Sequence, residues 1–164
     1  MKSYDSSSRR TILVVEDEPN IVKLCRKTLT GGGLGVDIAV NGRVAQRMVE
    51  KNYYALCLID IRTPEMNGIE LFKWLGNRHP KMANRVIFTT GDIIGRETVH
   101  FIEQSGMPFL PKPFTPGELQ TVVSSTLKQM KITDTEVRKY SDCRCSKATR
   151  FHPRVAGVLC HNEP

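Results

Sequence analysis

The chain has 164 residues, 40% of them hydrophobic, which is enough apolar material for a folded domain and excludes wholesale disorder. The formal charge is +7, but the first 130 residues, with 17 basic and 13 acidic groups, carry only +4, too little to indicate nucleic-acid binding. There is no apolar run long enough for a membrane span, the N-terminus lacks the apolar core of a secretory signal, and five cysteines fit a reducing compartment, so we expect a cytoplasmic protein without a membrane partner.

The first two strands and their helices are readable from short apolar runs. Residues 12–15 are apolar and are followed by three acidic residues, after which Pro19 begins a helical pattern that stops at Gly31. Residues 36–40 form a second strand candidate, in which Asp37 indicates an edge position. An Asn-Gly pair then leads into a second amphipathic helix.

The central strand is the clearest element in the chain. Five apolar residues, 55–59, end on Asp60, as is typical of a strand buried on both faces of a parallel sheet. The following loop closes with Asn-Gly and leads into a helix that ends near Gly76. Residues 85–90 predict a fourth strand, and residues 95–105 predict a helix that buries Val99, Phe101 and Ile102.

The last strand and helix carry the strongest local signals. Residues 107–110 predict a fifth strand, and prolines on both sides of Leu110 confine it to an edge. Thr115 and Glu118 form a capping box around Pro116, and an apolar stripe follows at helical spacing as far as Met130.

Five repeats of strand and helix predict an α/β fold with a doubly wound, five-stranded parallel sheet and five flanking helices. We expect a flexible N-terminus over residues 1–9, a single domain over residues 10–130, and a basic, cysteine-containing tail over residues 131–164 that is disordered or foreign to the natural domain. The cysteine and histidine spacing in that tail matches no common zinc site; the residues are Cys143, Cys145, His152, Cys160 and His161.

Polar residues follow the ends of four predicted strands. Glu16 and Asp17 follow the first strand, Asp60 and Thr90 end the third and fourth, and Lys112 follows the fifth. Carboxylates brought together at this edge repel one another unless Lys112 and a divalent cation compensate them. Oxygen ligands suit Mg²⁺, and a carboxylate beside Mg²⁺, a lysine and a hydroxyl is suited to attack phosphorus.

With these residues the chain resembles the receiver domains of the two-component response-regulator family. The match covers about 120 residues, with 30 residues from Asp60 to Thr90 and 22 from Thr90 to Lys112. Residues 91–114 look closest to receivers at the C-terminal end of hybrid sensor kinases. The matching segments are Ile12–Glu18, Asp60 with Pro64 and Gly68, Thr90–Gly91 and Lys112–Phe114.

The resemblance implies a strand order of 2-1-3-4-5 and a phosphoacceptor role for Asp60. The donor would be a phosphohistidine of a sensor histidine kinase or a histidine phosphotransfer protein. Mg²⁺ would be bound by Asp17, Asp60 and the backbone carbonyl of Arg62, with Glu16 acting largely through water. The domain would catalyse its own phosphorylation and dephosphorylation but would not be an enzyme with substrate turnover.

The resemblance also implies a conformational switch. Lys112 would pair with the carboxylate and then with the phosphoryl oxygens, Thr90 would move its hydroxyl to the phosphoryl group, and Phe109 would turn inward. Two copies could pair through the last helix and fifth strand. Where this chain has Thr63, family members more often have methionine, a difference expected to affect loop packing. We further expect Arg62 and Asp92 to form an ion pair that slows dephosphorylation.

Three alternatives are open. An aspartyl-nucleophile phosphohydrolase would place an aspartate where this chain has Arg62. A flavin-binding module would meet repulsion between its phosphate and the acidic run 16–18. A DNA-binding response regulator would need an output domain, for which the 34 residues after Met130 are too few.

Overall fold

The computed structural model describes residues 11–91 and 95–141, with side chains as far as Met130. The predicted flexible N-terminus, Asp92 and the cysteines and histidines of the tail lie outside the described residues. Within the described ranges, no helix combines the length and apolarity that a membrane crossing needs.

Five parallel strands form one sheet in the order β2-β1-β3-β4-β5, as predicted. Both strands predicted at edges, β2 and β5, lie at the edges. The strands are β1 (Thr11–Val15), β2 (Gly35–Ala39), β3 (Leu56–Asp60), β4 (Val86–Thr90) and β5 (Phe109–Pro111).

Over the described residues, six helices connect and cover these strands: α1 (Pro19–Gly31), α2 (Gly42–Lys51), α3 (Gly68–Arg78), α4 (Pro80–Ala83), α5 (Arg96–Ser105) and α6 (Pro116–Ser141). Five of them were predicted. The four-residue α4 is an addition, since one turn is too short to show a helical period. Helix α6 continues to Ser141, eleven residues beyond the predicted end at Met130, because no glycine or proline in that segment stops it.

Alternate residues of each central strand enter two separate cores. Leu13, Cys57 and Phe88 belong to the core beneath α2, α3, α4 and α5, whereas Val14 and Leu58 belong to the core beneath α1 and α6. Helices therefore cover both faces of the sheet, which explains why β3 and β4 are fully buried and are apolar up to the polar residues at their carboxyl ends.

Helix α5 departs from its predicted burial at one position. Val99 is 39% exposed, whereas Thr98 is buried. Phe101 and Ile102 pack against the core as predicted, and the Phe101 ring lies edge-on against Phe72 and Phe88 with centroids 5.7 and 5.2 Å apart.

The strand register brings the predicted site residues to one edge of the sheet. Val15 pairs with Ile59, Asp60 with Thr89, and Thr90 with Pro111. Because all five strands are parallel, the residues that follow β1, β3, β4 and β5 meet at their carboxyl ends.

Candidate functional site

Lys112 contacts two buried carboxylates at the carboxyl ends of the strands. Its Nζ lies 2.6 Å from Asp60 Oδ2 and 2.6 Å from Glu16 Oε2. The backbone N–H of Lys112 donates to the carbonyl of Thr90 at 2.9 Å, which fixes the chain just after β5. The cation is thus held by the backbone as well as by its two partners.

The charges of this site are shifted by their burial and by one another. Burial raises the pKa of Glu16, the charge of Asp60 adds to this, and the hydrogen bonds from Lys112 and from the backbone N–H of Glu18 only partly offset it. Burial lowers the pKa of Lys112, but its hydrogen bonds to Asp60 and Glu16 raise it by more, so the net shift is upward. Burial thus opposes the charge of Glu16, whereas the two carboxylates favour the charged form of Lys112.

Glu16, Asp17 and Asp60 form a cluster that fits a divalent cation. One carboxylate oxygen from each lies within 4.8 Å of the others. Glu16 and Asp60 are buried, and Asp17 is exposed to solvent. All donors are oxygens, and an exposed member leaves room for water and for a phosphate oxygen, as Mg²⁺ requires. The residues present are thus suited to Mg²⁺.

The loop after Asp60 is shaped by close backbone contacts. The N–H of Arg62 donates to Asp60 Oδ1 at 2.9 Å, so the carboxylate is held at both oxygens. The N–H of Gly68 donates to the carbonyl of Ile61 at 3.0 Å, and a Cβ on Gly68 would lie 2.5 Å from the carbonyl oxygen of Asp60. Only glycine allows α3 to begin so close to the phosphoacceptor candidate.

Thr63 has a structural role in the same loop. It is buried, and its hydroxyl donates to the carbonyl of Met66 at 2.9 Å. That bond closes the turn around Glu65, whose φ of 63° lies in the left-handed region. Thr63 therefore contributes to the packing of this loop.

Thr90 and Phe109 lie on the neighbouring strands β4 and β5. Thr90 is fully buried at the end of β4, and Phe109 is half-buried at the start of β5, paired with Phe88 in the strand register. Arg62 is exposed at the mouth of the site.

The predicted residues are thus brought together, but the sequence did not predict all their contacts. The contact between Lys112 and Glu16 is as short as the one with Asp60, although the two partners are 96 and 52 positions away in the chain. The capping box of Asn67 and Glu70, which begins α3 beside the site, also went unpredicted, although Asn-x-x-Glu is a readable signal.

Comparisons with known proteins agree with this geometry. The family model described as the response regulator receiver domain matches residues 12–124. The chain is 30% identical over 121 residues to the response regulator protein PilR of Pseudomonas aeruginosa, covering 74% of this chain and 27% of PilR. It is 32% identical over 127 residues to the transcriptional regulatory protein SrrA of Staphylococcus aureus, covering 76% of this chain and 51% of SrrA.

A solved structure shows the same fold. A CheY-like response regulator receiver domain protein from Methanospirillum hungatei matches with a TM-score of 0.69 and 26% identity, covering 76% of this chain and 98% of that one. The curated relatives are longer, and the chain spans about a quarter of PilR and half of SrrA. The residues matched by the family model, 12–124, extend from β1 beyond β5. They include the acidic site formed by Glu16, Asp17, Asp60 and Lys112. The chain belongs to the response regulator receiver domain family.

Proposed function

We propose that Asp60 is the phosphoacceptor of this receiver domain and takes its phosphoryl group from a phosphohistidine. The observation that carries the proposal is the position of Asp60, a buried carboxylate at the end of the central strand held 2.6 Å from Lys112. Glu16 and Asp17 lie beside it, so the site can compensate a phosphoryl group's charge with a lysine and a metal ion.

The transfer is a displacement at phosphorus. A carboxylate oxygen of Asp60 forms the new O–P bond, and the P–N bond of the phosphohistidine breaks. The imidazole leaves with the electron pair, as a neutral ring if its other nitrogen carries a proton. Lys112, already protonated and half-buried, stabilises the negative charge on the transferred oxygens.

Asp17 and Asp60, together with the backbone carbonyl of Arg62, are the proposed Mg²⁺ ligands, and Glu16 acts through water. Mg²⁺ bound there would neutralise charge on the phosphoryl oxygens. The exposure of Asp17 supports this assignment, because it leaves one side of the cluster open to water and to the donor. The short contact of Glu16 Oε2 with Lys112 Nζ, 2.6 Å, supports a role outside the direct ligand set, because that oxygen already has a cationic partner.

Thr90 and Phe109 are the proposed switch residues. The phosphoryl group adds about −1.5 to −2 charges and three acceptor oxygens, which the Thr90 hydroxyl and Lys112 can bind in one arrangement. Phe109 is half-buried beside the fully buried β4, so an inward rotation has a core to enter. The loop after β4 would thereby be biased between two states.

Self-dephosphorylation would restore the site when water attacks phosphorus and the O–P bond to Asp60 breaks.

The donor would be a sensor histidine kinase or a histidine phosphotransfer protein in the cytoplasm. Pairing of two copies through α6 and β5 is a further part of the proposal, as is a position within a hybrid kinase. The longer regulators that the chain resembles suggest an output by transcription, to which the matched residues contribute only the receiver.

Transfer from a purified histidine phosphotransfer protein carrying radioactive phosphate tests this proposal. In the presence of Mg²⁺, label should move to the wild-type chain, and reduction of the acyl phosphate followed by peptide mapping should locate it at Asp60. Asp60→Asn should receive no label, whereas Asp37→Asn, which removes a carboxylate at the sheet edge, should accept it like the wild type. Label on another residue, or undiminished label on Asp60→Asn, would exclude Asp60 as the phosphoacceptor.

A further inference from the structure

A concave surface lies at the other end of the sheet from Asp60, near the amino ends of β3 and β4. It is a cleft of about 480 Å³ between the C-terminal ends of α2 and α3, the short helix α4 and the residues just before β3 and β4. Tyr54 lines it near the start of β3, whereas Asp60 ends that strand, so the five residues of β3, about 16 Å of chain, separate the two sites.

The walls of the cleft are apolar and aromatic. Val49, Tyr54 and Met82 are buried, and Tyr53 exposes 42% of its surface. The guanidinium carbon of Arg85 lies 5.8 Å from the centre of the Tyr53 ring, which is within cation–π distance. The volume of the cleft is within the range of small-molecule sites.

Four basic side chains also line the cleft. Lys51, Arg78 and Lys81 line the cleft with Arg85, and Glu50 is the carboxylate among the lining residues. In the part of the chain whose side chains the structure describes, Lys51, Arg78 and Lys81 make no ion pair. Three exposed cations thus face one cleft without a carboxylate partner.

Compensation of helix dipoles does not account for all of this charge. Lys51 and Arg78 lie in the last turns of α2 and α3, where each helix end carries about −0.5 of a charge. Together with Glu50 the two ends amount to about −2, against +3 from the lysines and Arg78. About one positive charge remains before Arg85 is counted.

This positive charge favours an anion from outside the described chain as the occupant of the cleft. Residues 1–10 and 142–164 are themselves basic, with seven lysines and arginines against three acidic residues, so charge disfavours them as occupants. Arg78 can donate two parallel hydrogen bonds to a phosphate group, which carries about −1.5 to −2 charges against −1 for a carboxylate, so charge favours phosphate at this cleft. The exposed ring of Tyr53 offers a surface for a flat apolar body.

We propose that this cleft binds an organic phosphate of nucleotide size. Its phosphates would meet Arg78, Lys81 and Arg85, and its aromatic body would lie against Tyr53 and Met82. This binding is independent of phosphoryl transfer to Asp60.

Calorimetric titration of the full chain in buffer with EDTA tests the proposal and keeps metal-bound nucleotide away from the acidic site. ATP should bind with a Kd below about 1 mM, and tripolyphosphate, which lacks the aromatic body, about tenfold more weakly. In a nuclear magnetic resonance titration of the wild type, the amides of Tyr53, Tyr54 and Met82 should shift.

The charge-removing variant R78Q/K81Q should weaken ATP binding by about tenfold or more. The matched variant R26Q/K27Q removes the same charges from exposed positions of α1 and should leave the affinity unchanged. No heat and no amide shifts with ATP would overturn the proposal, and so would equal losses in the two variants. Tripolyphosphate or hexaglutamate binding as tightly as ATP would overturn it as well, by showing that the cleft recognises charge alone.

Discussion

Lys112 determines the electrostatics of the acidic site, because one cation serves two buried carboxylates. The carboxylate of Glu16 is 2% exposed and that of Asp60 8%, so water screens neither contact well. The motif allowed us to predict the lysine and Asp60. The equally short contact between Lys112 and Glu16 could not be predicted, since it depends on how far the flexible lysine side chain reaches between two strand ends.

The raised pKa of Lys112 predicts a pH-dependent contribution to stability. Because the folded value lies above the ordinary 10.5, this contribution is fully present below about pH 10.5 and is lost as the pH rises through the folded value. Between about pH 10 and pH 12, the free energy of unfolding of Lys112→Met should therefore fall less than that of the wild type. Urea denaturation at a series of pH values measures this.

The control for that series is Lys23→Met, which removes a lysine from an exposed position of α1. It should keep the wild-type slope. Equal slopes for Lys112→Met and the wild type would show that the ammonium gains no stability from its two partners.

Two glycines of α3 provide a matched pair of substitutions. Gly68→Ala should destabilise the domain by about 1–3 kcal/mol, because its Cβ would meet the backbone of Asp60 and Ile61 at 2.5 and 2.8 Å. Gly76→Ala, with nothing within 4 Å, should stabilise the same helix by about 0.5–1 kcal/mol. Urea denaturation compares the two, and a neutral or stabilising Gly68→Ala would contradict the close approach.

At the scale of elements, local signals predicted the long helices and the strands but not their limits. The capping box at Thr115 is present, with the N–H of Thr115 donating to Glu118 Oε2 at 2.7 Å. The helix that was not predicted, α4, is stabilised by its neighbours. Its residues Met82 and Ala83 are buried in the core beneath α3. A four-residue helix has no period of its own, so its existence depends on that tertiary contact.

The capping box at the start of α3 contributes to stability next to the site. The N–H of Glu70 donates to Asn67 Oδ1 at 2.9 Å, and Asn67→Ala should cost about 1 kcal/mol in the free energy of unfolding. Asn77→Ala removes an exposed asparagine from the same helix, has no cap to lose, and serves as the control in urea denaturation. A loss no larger than that of Asn77→Ala would mean that solvent replaces the cap.

At the scale of the whole molecule, alternating strands and helices were enough to predict the doubly wound sheet. The period-two distribution of strand residues into two cores explains why this prediction succeeded. The cleft opposite the acidic site could not be predicted, because its lining residues follow no motif. They come from helix ends and from residues that precede strands.

Truncation tests where the stability of the whole domain resides. Met130 is the last residue of α6 whose side chain the structure describes, and it packs against the core; we predict that a chain ending there melts within about 2 °C of the full chain. A chain ending at Ser125 also loses Leu127 and Met130, and should melt at least about 5 °C lower. Calorimetry compares the three chains, and a large loss from the first truncation would show that residues beyond Met130 stabilise the fold.

Intact-mass spectrometry after incubation with a small phosphoryl donor tests the central claim most directly. With Mg²⁺, the wild-type chain should gain the mass of a single phosphoryl group. It should gain none when EDTA removes the metal, and Asp60→Asn should gain none in either condition. Phosphorylation of Asp60→Asn to the wild-type extent, or phosphorylation that persists in EDTA, would contradict a metal-dependent acyl phosphate at the end of β3.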